Sequence, residues 1–100
     1  MGANQMRGEA ALVLDGAEVV LRPSFQALVA AEAELGPLFG LVERAAAGAL
    51  TLAEMAGLFW HCAIGVADDR EAFSEAVAAA GLAACTPALK LLLRQILSGR

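Results

Sequence analysis

Residues 8–36 read GEAALVLDGAEVVLRPSFQALVAAEAELG, and this pattern predicts a β-hairpin followed by a capped amphipathic helix. Asp15-Gly16 is typical of a two-residue type I′ turn, which needs positive φ at both central positions. With that turn, the period of two along each strand places one set of apolar side chains on one face. This set is Ala10, Leu12, Leu14, Ala17, Val19 and Leu21. On the other face we expect Glu9 to lie opposite Arg22 and to form an ion pair with it.

A helix follows the hairpin directly. Pro23 ends the second strand because it cannot donate a hydrogen bond to the ladder. Ser24 is a typical N-cap, and Gly36 is a typical residue to end a helix. The predicted apolar stripe of this helix is Phe25, Leu28, Val29 and Leu35. We expect the stripe to pack on the hairpin, and Phe25→Ala to cost about 3–5 kcal/mol, as for a buried aromatic side chain.

The rest of the chain reads as short helices separated by start and stop signals. Pro37 suits the first position of a helix, and Thr51-x-x-Glu54 is a capping box. Asp68, three residues before Glu71, resembles another capping box, and Thr86-Pro87 reads as an N-cap and first helical residue. Glycines 48, 65 and 81 are the predicted stops. We expect a hairpin over residues 8–22 and helices over about 24–35, 37–48, 51–65, 69–80 and 87–97.

One hundred residues predict one domain, here over residues 8–98 after a disordered N-terminus over residues 1–7. The predicted fold class is α+β and mostly helical, with an N-terminal β-hairpin packed on a bundle of about five short helices. A two-stranded hairpin is marginal alone, so it must pack on the helices. Its two open edges can each accept a strand from another chain.

Composition narrows the classes of function. The net charge of -4 and the few aromatic residues argue against a nucleic-acid surface. Cys62 and Cys85 lack metal-site or redox-motif spacing, and the N-terminus lacks the apolar region of a signal peptide. We therefore expect a reduced, cytoplasmic protein with two buried thiols. The apolar run Ala45–Ala67 contains glycines, a histidine and Glu54, so we expect no membrane span there.

No constellation of residues typical of catalysis is present in the sequence, so we expect no enzyme and no cofactor. His61 and Cys62 are neighbours on a predicted helix and point about 100° apart, so they do not form a dyad by themselves. They remain open to two interpretations, a buried structural pair or part of a Cys–His site. Glu32 lies along the apolar stripe of the first helix and is either a solvated residue or a polar anchor at an interface.

The last quarter of the chain is locally basic. No Asp or Glu follows Glu75, whereas Lys90, Arg94 and Arg100 do. The final predicted helix also has a broad apolar face, made of Leu89, Leu92, Leu93, Ile96 and Leu97. This helix is either an ordinary solvated amphipathic helix, with cations near its C-terminus, or a docking helix for an acidic partner.

The residues of the first third also resemble a known family. The matching positions are Gly8-Glu9, Leu12-x-Leu14-Asp15-Gly16, Leu21-Arg22-Pro23-Ser24-Phe25, Ala27-Leu28, Glu32 and Leu35-Gly36. They are similar to the opening of a small protein family from gene transfer agents and related tailed phages of alphaproteobacteria. Trp60, Gly81-Leu82 and the leucine-rich final helix continue the resemblance.

Proteins of that family are labelled either as tail tube proteins or as tail assembly chaperones. Tail tube subunits build rings from continuous β-sheet, whereas this chain has strand signal only in its hairpin. The resemblance therefore implies a chaperone that binds the tape-measure protein or the major tail protein, with self-association as a further possibility. The alternatives are a structural tail component retained in the particle and a small cytoplasmic binding protein unrelated to tails. The predicted partner-binding residues are Leu89, Lys90, Leu93, Arg94 and Leu97.

Overall fold

The computed structural model describes residues 8–67 and 69–99. The disorder predicted for residues 1–7 and the cap predicted at Asp68 therefore lie outside the described residues. The elements are β1 (Ala10–Leu14), β2 (Ala17–Leu21), α1 (Phe25–Leu35), α2 (Leu38–Ala46), α3 (Leu52–Cys62), β3 (Ala63–Ile64), α4 (Arg70–Ala80) and α5 (Leu82–Ser98). The predicted fold class, a mostly helical α+β fold with an N-terminal hairpin on helices, is confirmed.

The hairpin forms in the predicted register. Ala10 pairs with Leu21, Leu12 with Val19, and Leu14 with Ala17. The turn residues Asp15 and Gly16 have φ values of 52° and 78°, as a type I′ turn requires. The predicted cross-strand ion pair is also present, since Arg22 Nε donates to Glu9 Oε2 over 2.7 Å.

A third strand was not predicted. The helix expected over 51–65 ends at Cys62, and Ala63 and Ile64 pair antiparallel with Leu21 and Val20 of β2. Arg22 N–H donates to the Cys62 carbonyl over 2.8 Å, which extends the backbone pairing beyond the ends of β2 and β3. The strand order is β1-β2-β3, so part of one hairpin edge is already covered.

Most helix starts lie where the capping signals place them. Ser24 Oγ accepts from Ala27 N–H over 3.1 Å. Thr51 and Glu54 form a complete capping box, in which each side chain accepts from the other residue's backbone N–H. Two starts shift by one residue: α2 begins at Leu38 with Pro37 as its N-cap, and Asp69 caps α4.

The prediction for the start of the last helix was wrong. Helix α5 begins at Leu82, not at residue 87, and Thr86-Pro87 lies inside it. Gly81, with a φ of 92°, allows the sharp turn between α4 and α5, so the new helix begins at once. Cys85 N–H already donates to the Gly81 carbonyl over 3.3 Å. Pro87 removes only one early backbone hydrogen bond, and Thr86 Oγ1 donates to the Leu82 carbonyl over 2.8 Å.

The core lies between the inner face of the hairpin and helices α1, α3, α4 and α5. Its fully buried members include Leu21, Ala31, Leu58, Phe59, Cys62, Phe73, Val77, Cys85 and Leu92. Leu12 and Leu14 bring β1 into the same cluster. The predicted apolar face of the hairpin is thus the core face, although Ala17 at its end is exposed.

The predicted packing of α1 was wrong at Phe25 and Val29. These side chains are 84% and 47% exposed, so they do not pack on the hairpin. The buried side of α1 is centred on Ala31, with Ala27, Leu28 and Leu35 packed against the core. The face of α1 that is turned to the core is therefore centred on a small residue, and it leaves Phe25 and Val29 facing outward.

No single helix among the described residues is long and apolar enough to cross a membrane. Two helix pairs, α1 with α2 and α4 with α5, reach the required length and composition only together, and they bend by 76° and 111°.

Candidate partner-binding surface

A groove of about 540 Å³ with a mainly apolar lining lies beside α5 and opens to solvent. We call it the α5 groove. Its lining residues are apolar apart from two threonines and one lysine: Val42, Ala45, Ala46, Gly48, Leu50, Thr51, Leu52, Met55, Leu82, Thr86, Leu89, Lys90 and Leu93.

Helical periodicity builds one wall of the α5 groove. Leu82, Thr86, Leu89 and Leu93 follow one another at spacings of three or four residues and so share one face of α5. The start of this face is open, since Leu82 is 62% exposed.

The other wall comes from α2, from the segment after it, and from α3. Gly48, with a φ of 74°, turns the chain from α2 towards Leu50. The capping box at Thr51 then fixes the start of α3, so that Leu52 and Met55 reach the groove. The two walls leave an open apolar groove between helices.

The cations of the described residues fall into two groups. Three arginines are paired with carboxylates: Arg22 with Glu9, Arg44 with Glu54, and Arg70 with Glu34. Within residues 8–67 and 69–99, neither Lys90 nor Arg94 has a carboxylate within 4.0 Å. Both are exposed and lie on α5, so this helix carries the unpaired positive charge of the described chain.

The five residues predicted to bind a partner do not form one surface. Leu89, Lys90 and Leu93 come together in the α5 groove. Arg94 lines a separate depression beside Glu9. Leu97, 58% exposed, lines a third hollow of about 190 Å³. Their part in binding remains a prediction.

That third hollow lies next to the α5 groove, because Val42 lines both. Its other residues are Glu32, Leu38, Phe39, Ile96 and Leu97. Phe39 is 80% exposed and, like Phe25, was not singled out as a surface residue from the sequence. Phe39 lies about 100° around the helix from Leu38, away from the stripe of Leu38, Leu41 and Ala45, and this position is the signal that could have indicated it.

Glu32, predicted to be either a solvated residue or a polar anchor at an interface, makes a hydrogen bond to the start of α2. Its Oε2 accepts from Leu38 N–H over 3.1 Å. Pro37 offers no side-chain cap, so Glu32 satisfies one of the free N–H groups at the start of α2. The residue remains exposed while it holds α2 in place relative to α1.

His61 belongs to an ionic cluster that joins three helices. Glu34 of α1 lies 2.8 Å from His61 Nε2 of α3 and accepts from Arg70 Nη1 of α4 over 2.7 Å. The hydrogen bonds from Arg70 and His61 lower the pKa of Glu34 from 4.5 to about 2. This cluster connects helices at the surface and leaves His61 engaged with Glu34 rather than with Cys62.

The two thiols are buried, as predicted. Burial raises the pKa of Cys62 to about 12 and raises that of Cys85 as well. A thiol in this state is a weak nucleophile, because the thiolate is the reactive form. The described residues contain no group of three or more His, Cys, Asp or Glu side chains that could hold a metal ion.

Comparison with known proteins gives one result that covers nearly the whole chain. The family model described as phage tail tube protein, GTA-gp10, matches residues 7–99. The match includes the hairpin, the α5 groove and every described helix. No curated protein and no solved structure matches the chain.

Proposed function

The chain belongs to the GTA-gp10 family of phage tail tube proteins, and on that basis we propose that it is a tail assembly chaperone. In this role it binds another tail protein in the cytoplasm of the producing cell, before that protein enters the tail. Membership of a tail protein family sets aside the alternative of a binding protein unrelated to tails.

The observation that carries the proposal is the α5 groove. It is an open channel with apolar walls from α2, α3 and α5, and Leu82 and Leu52 are 62% and 43% exposed at its surface. An open apolar groove with few polar groups is the surface at which a binding site is first sought. A chaperone uses such a surface to cover an apolar segment of another chain until assembly buries it.

The small sheet supports a chaperone over a ring subunit. Among the described residues the strands are β1 and β2, of five residues each, and β3, of two. A continuous tube wall needs more strand than these elements provide. The extended helical surface instead suits an apolar helical segment, and the tape-measure protein is the proposed partner.

The proposal is for binding rather than catalysis. Cys62, the one candidate nucleophile beside a histidine, is 1% exposed and has a raised pKa. His61 is held by Glu34, over 2.8 Å. These two residues therefore fit a structural part of the fold, and the α5 groove supports binding as the proposed function.

Co-purification tests the proposal. The tagged chain is expressed with each neighbouring tail protein in turn, and the captured protein is identified after stringent washing. We expect capture of the tape-measure protein and a larger soluble fraction of that protein than when it is expressed alone. Failure to capture any tail protein, or capture without a gain in solubility, contradicts the chaperone function.

A second candidate is a structural tail component that stays in the particle. The description of the family as a tail tube protein favours it. So does β1, which forms one edge of the described sheet and can accept a strand from a neighbouring subunit. The two candidates differ in whether the chain remains in the finished particle.

A further inference from the structure

We infer that the segment held in the α5 groove is an amphipathic α-helix of about three turns, with carboxylates along the flank that faces Lys90. This inference rests on the proposed function, because it names the chemistry of the partner at the same surface. It also assigns a role in binding to Lys90 and not to Arg94, since only Lys90 of these two α5 cations lines the groove.

The length of the bound helix follows from the wall it contacts. The α5 wall runs from Leu82 to Leu93, a rise of about 16 Å or roughly three helical turns. A hydrophobic groove is a common receptor for the apolar face of an amphipathic helix, with anchors at spacings of three and four residues.

Backbone hydrogen bonding favours a helix over an extended segment. The groove walls come mainly from α2, α3 and α5, and within the interior of each helix the N–H and C=O groups are paired with one another. An extended segment buried there would find few backbone partners, and each unpaired polar group costs free energy. A helix satisfies its own backbone and brings only side chains into the groove.

Charge specifies the flank of the bound helix. Lys90 lines the groove, is exposed, and has no carboxylate within 4.0 Å among the described residues. A partner helix that covers the groove brings its flank next to this ammonium group, so a carboxylate there is favourable and a cation is not. Arg94 lines a depression that also contains Glu9, away from the groove.

Lys90 and Arg94 therefore form a matched pair for a test. They lie four residues apart on the same helix, both are exposed, and both lack an ion pair in the described chain. Lys90→Glu and Arg94→Glu make the same change of net charge, so long-range repulsion is similar in the two variants. Only the first places the new charge at the groove.

The experiment uses two designed helical peptides of about 14 residues as probes. They share leucines at positions that form one face, and their flanking positions are all glutamate in one and all lysine in the other. Binding to the wild type, Lys90→Glu and Arg94→Glu is measured by fluorescence anisotropy at about 0.15 M and about 1 M salt. Circular dichroism checks that the variants keep the helical content of the wild type.

We expect the wild type to prefer the glutamate peptide by about two- to fivefold at the lower salt, the size of an exposed ion pair. The preference should shrink at high salt, reverse in Lys90→Glu, and persist in Arg94→Glu. Absence of binding by both peptides, or a preference that responds equally to the two substitutions, overturns the inference.

Failure of this inference is distinguishable from failure of the proposed function. Capture of the tape-measure protein by the wild type, with no effect of Lys90→Glu in the peptide assay, leaves the chaperone function standing and removes the groove-bound acidic helix. Binding of the glutamate peptide without capture of any tail protein supports an acidic helix as the ligand of the groove and contradicts the chaperone function.

Discussion

Phe25 and Phe73 are phenylalanines in helices of the same length, but they occupy opposite environments. Phe25 is 84% exposed on α1, whereas Phe73 is 2% exposed on α4. The ring of Phe73 also makes an edge contact with Trp60, with ring centroids 5.5 Å apart. The free energy of unfolding that is lost when an aromatic ring is removed increases with the burial of the ring, so this loss should differ sharply between the two positions.

We predict that Phe73→Ala lowers the free energy of unfolding by about 3–5 kcal/mol. Phe25→Ala should change it by no more than about 0.5 kcal/mol, as for an exposed position. Urea denaturation followed by circular dichroism measures both. A loss of several kcal/mol at Phe25 would mean that α1 packs on the hairpin as its sequence suggests, against the exposure observed.

Glu34 should make stability depend on pH. Its folded pKa of about 2 lies below its ordinary value of 4.5, so its ionic contacts stabilise the folded state above about pH 4.5. That contribution is lost as the pH falls towards 2. In Glu34→Gln the contribution is absent, so the stability difference from the wild type should be largest near neutral pH and shrink in acid.

Urea titrations of the wild type and Glu34→Gln at several pH values between about 7 and 2.5 measure this difference. The remaining carboxylates are common to both proteins and cancel in the comparison. The effect should be modest, because the Glu34 side chain is 38% exposed and solvent screens its charge. A difference that stays constant through acid pH would show that Glu34 is not held by Arg70 and His61 in solution.

The helix starts show which local sequence signals determine where a helix begins. Thr51 is an N-cap with a complete capping box, and its side chain accepts from Glu54 N–H over 3.1 Å. Thr86 has a similar sequence signal, followed by proline, but it lies in the second turn of α5. The earlier stop at Gly81 determines where that helix begins, and the hydroxyl of Thr86 donates back to a carbonyl instead.

Alanine substitutions at the two threonines should therefore have unequal effects. Thr51→Ala should cost about 0.5–2 kcal/mol, the usual loss for an N-cap. Thr86→Ala should stay within about 0.5 kcal/mol, because its bond to the Leu82 carbonyl does not cap the helix. Thermal or urea unfolding of the two variants measures the difference, and equal losses would argue that α5 starts at Pro87 in solution.

Elements defined by local patterns were predictable, and those defined by tertiary contacts were not. The hairpin register follows from Asp15-Gly16, and the start of α3 follows from the Thr51 capping box. Strand β3 has only Ala63 and Ile64, too short for a periodic signal, and it exists because β2 lies beside it. The buried face of α1 is centred on Ala31, a small residue, so a prediction based on the large apolar residues selected the wrong face at Phe25.

The candidate site was predictable only in part for a related reason. Of the five residues predicted to bind a partner, Leu89, Lys90 and Leu93 line the α5 groove, and their part in binding stays a prediction. Arg94 and Leu97 line two other depressions instead. The opposite wall, from Val42 to Met55, needs the arrangement of α2 and α3, which no spacing within one helix reveals.

The whole molecule combines a well-packed part with open apolar surface. The hairpin, α1, α3, α4 and α5 share one buried cluster, whereas the buried Leu41 of α2 lies outside it. Helix α2 also borders both the α5 groove and the adjacent hollow. Its links to the rest include the Glu32 contact at its start and the Arg44–Glu54 ion pair near its end. This division suits a chaperone, since the core keeps the fold while the apolar surface around α2 receives a partner.

The copy number of the chain in purified particles tests the chaperone role most directly. Quantitative mass spectrometry with labelled standard peptides gives the ratio of this chain to the major tail protein, in particles and in the lysate of producing cells. We predict that the chain is abundant in the lysate and far below the major tail protein in particles that are free of unassembled material. A fixed, stoichiometric ratio in those particles would contradict the chaperone function and identify the chain as a structural part of the tail.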